Sequence, residues 1–560
     1  MQRVTRTTAT LLAAFAVSLI GALPASAGTS PRQARADATA SAFHAAKVKI
    51  PVREPAVPAG AQVMKYRFGP MTIQPGQNYI NVDVQKERPS VPGWIVGFKP
   101  GLVYAKSGKS PSVNIVHLHH AVWLVADPGK PLMPTFAAGE EKTAFNAPDG
   151  YGWRYTTDQQ WFINHMVHDL TPTEQQVYIT YTLIFIPDSA PQAAAVKRIS
   201  TQWMDVQGVK PYPVFSALRG TGTKGRFTYP DQAKNPYPDG NVRNRWVADR
   251  DATLVTTFGH LHPGGLFTDL DLTRDGKTVR IFRSRANYFD PVGAVSWDVA
   301  MSATGPNWRV AIKKGDVLST NATYDTSRSS WYEVMGIMPV GITDGPDGGV
   351  DPFTGKVDTA DYLTHGRLQE NIDTQARKAN PAYSNPIHSR PGPLVDRIVI
   401  KDYTYSRGDL TLRGQNGRPA TIRQGQQLTF VNEDPLNVVF HTITACKSPC
   451  NTSTGIGNPL ADGPRIFDSG ELGFGATISE NLYAGTSSGK VPITAVVDIP
   501  AADDACKTSG LLSIIKNGCV GSATWKTPKN LSPGTYTYFC RIHPFMRGAF
   551  RVIPKSSKTT

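Results

Sequence analysis

Between residues 61 and 345 short runs of Val, Ile, Tyr and Phe alternate with breaks of Gly, Pro, Asp and Asn. NYINVDV (78–84), VYITYTLIFI (177–186), ATLVTTFGHLH (252–262) and WRVAIKKGDVLSTNATYD (308–325) carry the period of two, or the short apolar run, of strands in antiparallel sheets. The pattern lapses from 345 to 393, where GPDGGVDPFTG opens a stretch without core periodicity, relieved only by a short helical signal near GRLQENIDTQARK. Strand signals resume at VDRIVI (395–400) and run to GAFRVIP (548–554). The pattern predicts an all-β chain: antiparallel sheets over 61–344, a linker over 345–393 and further strands over 394–555. At 560 residues, three or four units is the usual expectation.

Composition changes this picture at the ends. Residues 28–60 are rich in Ala, Pro, Ser and Lys without period and read as a flexible lead-in. Before them, Arg3 and Arg6 precede the apolar run LLAAFAVSLIGAL and the small residues ending at Ala27, the pattern of a cleaved secretory signal over 1–27. A secreted product is therefore expected. Removal of the two arginines lowers the net charge from +15 to +13, a basic surface suited to anionic cell wall but carrying no motif of a nucleic-acid reader. No later stretch approaches the ~20 apolar residues of a membrane span. All five cysteines lie in the last quarter, and Cys446, Cys450, Cys506 and Cys519 can form two disulfides in an oxidising compartment, in any of three connectivities. That leaves Cys540.

Cys540 ends the strand GTYTYFC, whose alternation puts Tyr536, Tyr538 and Cys540 on one face. The following RIHPFM can fold His543 and Met546 back toward the sulfur. Thiolate, imidazole and thioether are three of the four ligand types of a blue-copper electron-transfer site. The histidine available for the fourth is His441, in LTFVNEDPLNVVFHTITAC. YFCRIHPFMRGAF (538–550) resembles the C-terminal loop of the amicyanin and pseudoazurin type of cupredoxin. The resemblance implies a Greek-key β-sandwich over 394–555 holding one type 1 copper on His441, Cys540, His543 and Met546. It departs from those small proteins in the 98 residues between His441 and Cys540, which hold the four other cysteines.

Seven of the twelve histidines gather in three strings: VHLHHAVWLV (His117, His119, His120), FINHMVHDL (His165, His168) and TFGHLHPGG (His260, His262). On a strand, His260 and His262 share a face and can share a metal, whereas His119 and His120 leave opposite faces unless local twist or a bulge intervenes. A multicopper oxidase would need four His-x-His pairs and a His-Cys-His motif; here Phe539 and Arg541 flank Cys540. The order HHAVWL, isolated histidine, HLH, YEVMGIM instead resembles the copper monooxygenases that hydroxylate peptidylglycine and dopamine, over roughly 65–345. That resemblance implies two jelly-roll domains, 61–225 and 226–344, with one copper on His119, His120 and His168 and a second on His260, His262 and Met335. His165 competes with His168, and Met338 with Met335. A thioether among imidazoles favours copper over zinc. The chain departs from the family at Phe258 and Pro339, where the family has its substrate-holding arginine and tyrosine, and in having no cysteine in this region. His44, His365 and His388 are given no role, and His117 at most a supporting one.

Together these readings imply a secreted redox protein with three coppers. The type 1 copper passes electrons to the monooxygenase-like core, where His260, His262 and Met335 would be the catalytic ligands for O₂-dependent hydroxylation of a C–H bond. The implied partners are an unidentified electron donor and a small-molecule or peptide or polymer substrate. A non-catalytic copper-binding electron carrier is the alternative. A flexible linker of about 49 residues would span about 40 Å, enough for the third domain to dock and leave.

Overall fold

A computed structural model describes residues 50–371 apart from 54–56, 75–79, 114, 172, 209–212, 219, 290–296 and 328–330, and then residues 392–409, 419–434, 441–446, 465–472, 475–478, 495–498, 523–540, 543 and 546–556. The fold is all-β; the helical pieces among these residues are two 3₁₀ turns, Pro191–Ala195 and Gln369–Asn371. The expected signal, the lead-in up to residue 49, Cys450, Cys506 and Cys519, and the side chain of Cys446 lie outside the described residues, and the disulfide expectation with them.

The first sandwich packs four strands, Asn81–Val84, Gln160–Asp169, Val116–Ala126 and Met133–Gly139, against one end of a ten-stranded sheet. Leu118, Ala121, Trp123, Ile163 and Val167 from the small sheet meet Ile95, Phe98, Tyr181 and Leu183 from the large one. The second sandwich closes the other end of that sheet with seven strands, around Leu254, Leu270, Trp308, Met338 and Val340. The two halves share a sheet because strand Lys197–Asp205 pairs in parallel with Tyr151–Tyr155 on one side and antiparallel with Gly336–Asp344 on the other. The outer face of the small sheet, which a lone sandwich would give to water, is thereby turned toward the second half. Val122, Leu124, Phe162 and Met166 from that face pack with Trp203, Met335 and Ile337.

Residues 345–371, part of the stretch expected as linker, pack on both sandwiches. Strand Asp361–Leu363 pairs with Val299–Thr304, and Val357 enters the second core. Asp298 accepts hydrogen bonds from Arg367 and Asn371 at 2.7 and 3.0 Å. Asn371 accepts from the Val113 backbone at 3.1 Å, and Lys142 donates to Glu370 at 2.7 Å. This segment straps the two halves together beside the histidine strings. Residues 372–391 lie outside the described residues. The third unit is a sandwich of a four-stranded and a five-stranded sheet, with parallel pairings of Arg397–Lys401 to Thr429–Asn432 and of Ala420–Arg423 to Arg547–Ile553. Its core includes Ile398, Phe430, Tyr538, Phe550, Cys540 and Met546.

Candidate metal centres

In the third unit, strand His441–Cys446 pairs with Gly534–Phe539, which brings the first residue of one strand beside the residue that ends the other. His441, Cys540, His543 and Met546 are all fully buried. The Nδ1 atoms of His441 and His543 lie 3.1 Å apart, and Cys540 Sγ lies 3.9 and 3.6 Å from them. Two nitrogens each about 2.0 Å from one ion are separated by up to about 4 Å, so the pair fits joint ligation. The sulfur accepts hydrogen bonds from the backbone N–H of Thr442 at 3.3 Å and of His543 at 3.4 Å. Burial alone would push the thiol up, but the His543 and His441 imidazoles outweigh it and hold Cys540 well below the usual thiol range, toward the thiolate that binds metals. Asp434 accepts from His441 Nε2 at 2.8 Å, the carboxylate–histidine arrangement that fixes which ring nitrogen faces inward.

In the large part, a bulge resolves the problem posed by adjacent histidines. Leu118 pairs with Val167 but His120 with Met166, so His119 is an extra residue opposite no partner. Because of it, His117, His119, His120 and Val122 all leave the face away from the first core, while Leu118, Ala121 and Trp123 enter that core. On the neighbouring strand His168 lies directly across from His117. His165 falls on the opposite face, where its Nε2 meets Asp83 at 2.9 Å and its ring meets Phe68 at 5.0 Å. From the second half, His260 and His262 face the same space, with Leu261 between them in a separate apolar cluster with Val206, Ala322 and Tyr324.

The rings form a file. Centroid separations run 5.8 Å from His543 to His168, 5.2 Å to His117, 6.1 Å to His119, 4.6 Å to His262 and 5.2 Å to His260. His120 lies 5.7 Å from His119, its Nε2 on Asn164 Oδ1 at 3.1 Å. Trp297 stacks on His117 at 4.6 Å and covers the file. Burial pushes His117 down to about 4 and His120 to about 3, and holds His119 and His168 well below the usual histidine range. These imidazoles are therefore neutral at ordinary pH, the form that binds metals.

The grouping differs from that implied by the family resemblance. His168 is next to His117 and His543, and His119 is next to His262, whereas His120, His260 and Met335 together line a cavity of about 30 Å³ with Glu141, Trp203 and Phe258. Met338 lies in the second core and away from this cavity. The structure also brings to these groups His117, expected in at most a supporting place, and Glu140, Glu141, Trp297 and Asp434, which carry no motif in the sequence. Among the described residues, two groups of donors converge closely enough for one ion: His441 with Cys540 and His543, and Glu140 with His260 and His262.

No family model matches the chain, and no curated protein matches it. Among solved structures, a Cu-containing nitrite reductase (NirK) from Thermus scotoductus SA-01 is similar at 13% identity, covering 54% of this chain and 55% of its own, with a TM-score of 0.14. This chain thus spans about half the length of that protein. The T13 IBDV viral particle (9% identity, 55% of this chain and 77% of that one, TM-score 0.16) and vicilin from Solanum lycopersicum, tomato (7%, 51% and 76%, 0.09), are similar too. At these TM-scores the likenesses carry no argument about the site.

Proposed function

We propose that this chain is a secreted copper redox protein in which His441, Cys540, His543 and Met546 hold a type 1 copper and pass electrons to metal held by the histidines of the large part. There it would support O₂-dependent hydroxylation of a C–H bond in an unidentified small-molecule or polymer substrate. The observation that carries the reading is the convergence of three buried donors at the head of the imidazole file, with the ring of His543 edge-on to that of His168 at 5.8 Å. When bound, type 1 copper supplies one-electron transfer. The chain's residues do the rest: Asp434 fixes the His441 tautomer, Thr442 and His543 donate to the sulfur, and His168 and His117 fill the space that water would otherwise occupy between the two centres.

A non-catalytic electron carrier is the second reading, and the narrowness of the cavity favours it, since about 30 Å³ admits little more than a water or a diatomic molecule. Metal analysis, visible absorption and electron paramagnetic resonance of the purified protein test the copper assignment. A copper-loaded wild type without thiolate-to-copper absorption would overturn it. Uptake of O₂ coupled to an added reductant separates enzyme from carrier, because a carrier consumes almost none.

A further inference from the structure

We propose that Glu140, His260 and His262 form a metal site of two imidazoles and one carboxylate, built across the two sandwiches and distinct from the two-histidine-and-methionine set that the sequence resemblance implies. It stands on its own geometry and does not depend on the blue-copper reading.

Glu140 follows strand Met133–Gly139 of the first sandwich, while His260 and His262 belong to the second. Their ligand atoms all lie within 4.8 Å of one another. Glu140 is 1% exposed, and neither of its carboxylate oxygens has a hydrogen-bond partner among the described residues; nor does Nε2 of His260. A buried carboxylate without a donor is costly unless a proton or a cation answers it, and two adjacent imidazoles make a cation the fitting answer.

The surroundings orient the set. Glu141 Oε2 lies 3.1 Å from Nδ1 of His260, leaving Nε2 as the ligating atom. The approach depends on Gly139, where a Cβ would sit 2.4 Å from Cε1 of His260 and 2.6 Å from Oε2 of Glu141. Tyr324 accepts from the His262 backbone N–H at 3.1 Å and donates to the Met335 carbonyl at 2.6 Å, pinning the two segments. Met335 remains on the wall of the small cavity beside His260. An oxygen and two nitrogens suit Fe(II), Cu(II) or Zn(II), and replace the argument from a soft thioether.

The test uses the full chain, freed of metal and titrated separately with Fe(II), Cu(II) and Zn(II), with bound metal counted and the melting temperature followed. Glu140→Gln should weaken one equivalent of metal by at least about 100-fold and abolish its share of the metal-induced rise in melting temperature. Met335→Leu should leave that equivalent in place. Glu140→Leu serves as the second variant: it removes the buried carboxyl that lacks a hydrogen-bond partner among the described residues, so it should fold at least as well as wild type without metal and gain nothing from it. Retention of the full count in Glu140→Gln, or its loss in Met335→Leu alone, overturns the proposal, as does a wild type that binds no metal beyond that at Cys540. Absorption from the Cys540 centre reports independently on folding and on the blue-copper reading.

Discussion

Replacing Asp434 should damage the third unit more than one lost hydrogen bond would suggest. Its carboxylate, 4% exposed, accepts from His441 Nε2 at 2.8 Å and from the backbone N–H groups of Asp402 at 2.5 Å and Tyr403 at 3.3 Å. Asp402 and Tyr403 both sit in the left-handed region, at φ 50° and 58°, a conformation that costs about 1–2 kcal/mol per non-glycine residue. The ring of Tyr403 lies edge-on to His441 and His543 at 5.8 and 5.1 Å. Asp434 thus holds a strained turn whose tyrosine packs on the rings of His441 and His543. Asp434→Ala leaves buried donors unanswered and should cost about 3–5 kcal/mol. Asp434→Asn keeps one acceptor oxygen and should cost about 1–3 kcal/mol, or roughly 2–12 °C in the melting of a unit of this size, while weakening copper binding about 10–100-fold.

The sign of the pH dependence follows from the pair in the metal-free protein. For Asp434, burial works to raise its pKa, but His441 and the turn N–H groups hold it below its ordinary 3.8, so its contribution is present above 3.8 and is lost as pH falls through the lower folded value. For His441, burial works to lower its pKa, but Asp434 and Cys540 hold it above 6.5, so its contribution is present below 6.5 and is lost as pH rises through the higher folded value. The pair therefore stabilises most between about pH 4 and 6.5, and Asp434→Asn should flatten both limbs. Copper titration and thermal melting of the third unit, followed by its own absorption, measure these effects. An Asp434→Asn protein with unchanged copper affinity and unchanged melting would refute the reasoning.

Cys540→Ser should bleach the visible absorption and lower the copper count by one while leaving metal in the large part; colour retained in that variant would remove the thiolate from the site. His168→Leu should keep both centres loaded but slow reduction of the large part's metal by a macromolecular donor, measured by stopped flow, with small reductants unaffected; equal rates with every donor would show that the ring contact is not the route. Gly139→Ala should force His260 off Glu141 and weaken metal binding in the large part at least about 10-fold, measured by titration; wild-type affinity would mean that His260 is not oriented this way.

The sheet architecture was legible because alternation is a local signal: VHLHHAVWLV and FINHMVHDL are strands, and the period of two shows that His119 and His120 need a twist or a bulge to converge, while the pairing shows that it is a bulge at His119. The donors of the third unit were legible for the same reason, since Cys540, His543 and Met546 are close in sequence. The pairing of His119 with His262 was not, because it depends on how the two sandwiches face one another through the shared Lys197–Asp205 strand. Glu140 carried no signal at all: an acidic pair after AAG is commonplace on a surface loop, and only tertiary burial makes it a ligand candidate. The contact of His168 with His543 joins units separated by a stretch without pattern, and the strap at 345–371, rich in Gly, Pro and Asp, reads as a linker because its contacts run through single groups such as the Asp298 carboxylate and the Val113 backbone N–H.

The bulge at His119 has a consequence for how this site could arise and be undone. Remove that one residue and Val116–Ala126 becomes an uninterrupted strand in which His117, His120 and Val122 keep their face, and Leu118, Ala121 and Trp123 keep theirs. The extra histidine is thus phase-neutral: duplication of a single histidine codon in a regular strand yields the tandem pair, adding an imidazole to the space between the sandwiches without moving any core side chain to the wrong side. The pairing register of the strand has no need of His119, and what its buried ring meets is other rings, those of His117, His262 and Trp297.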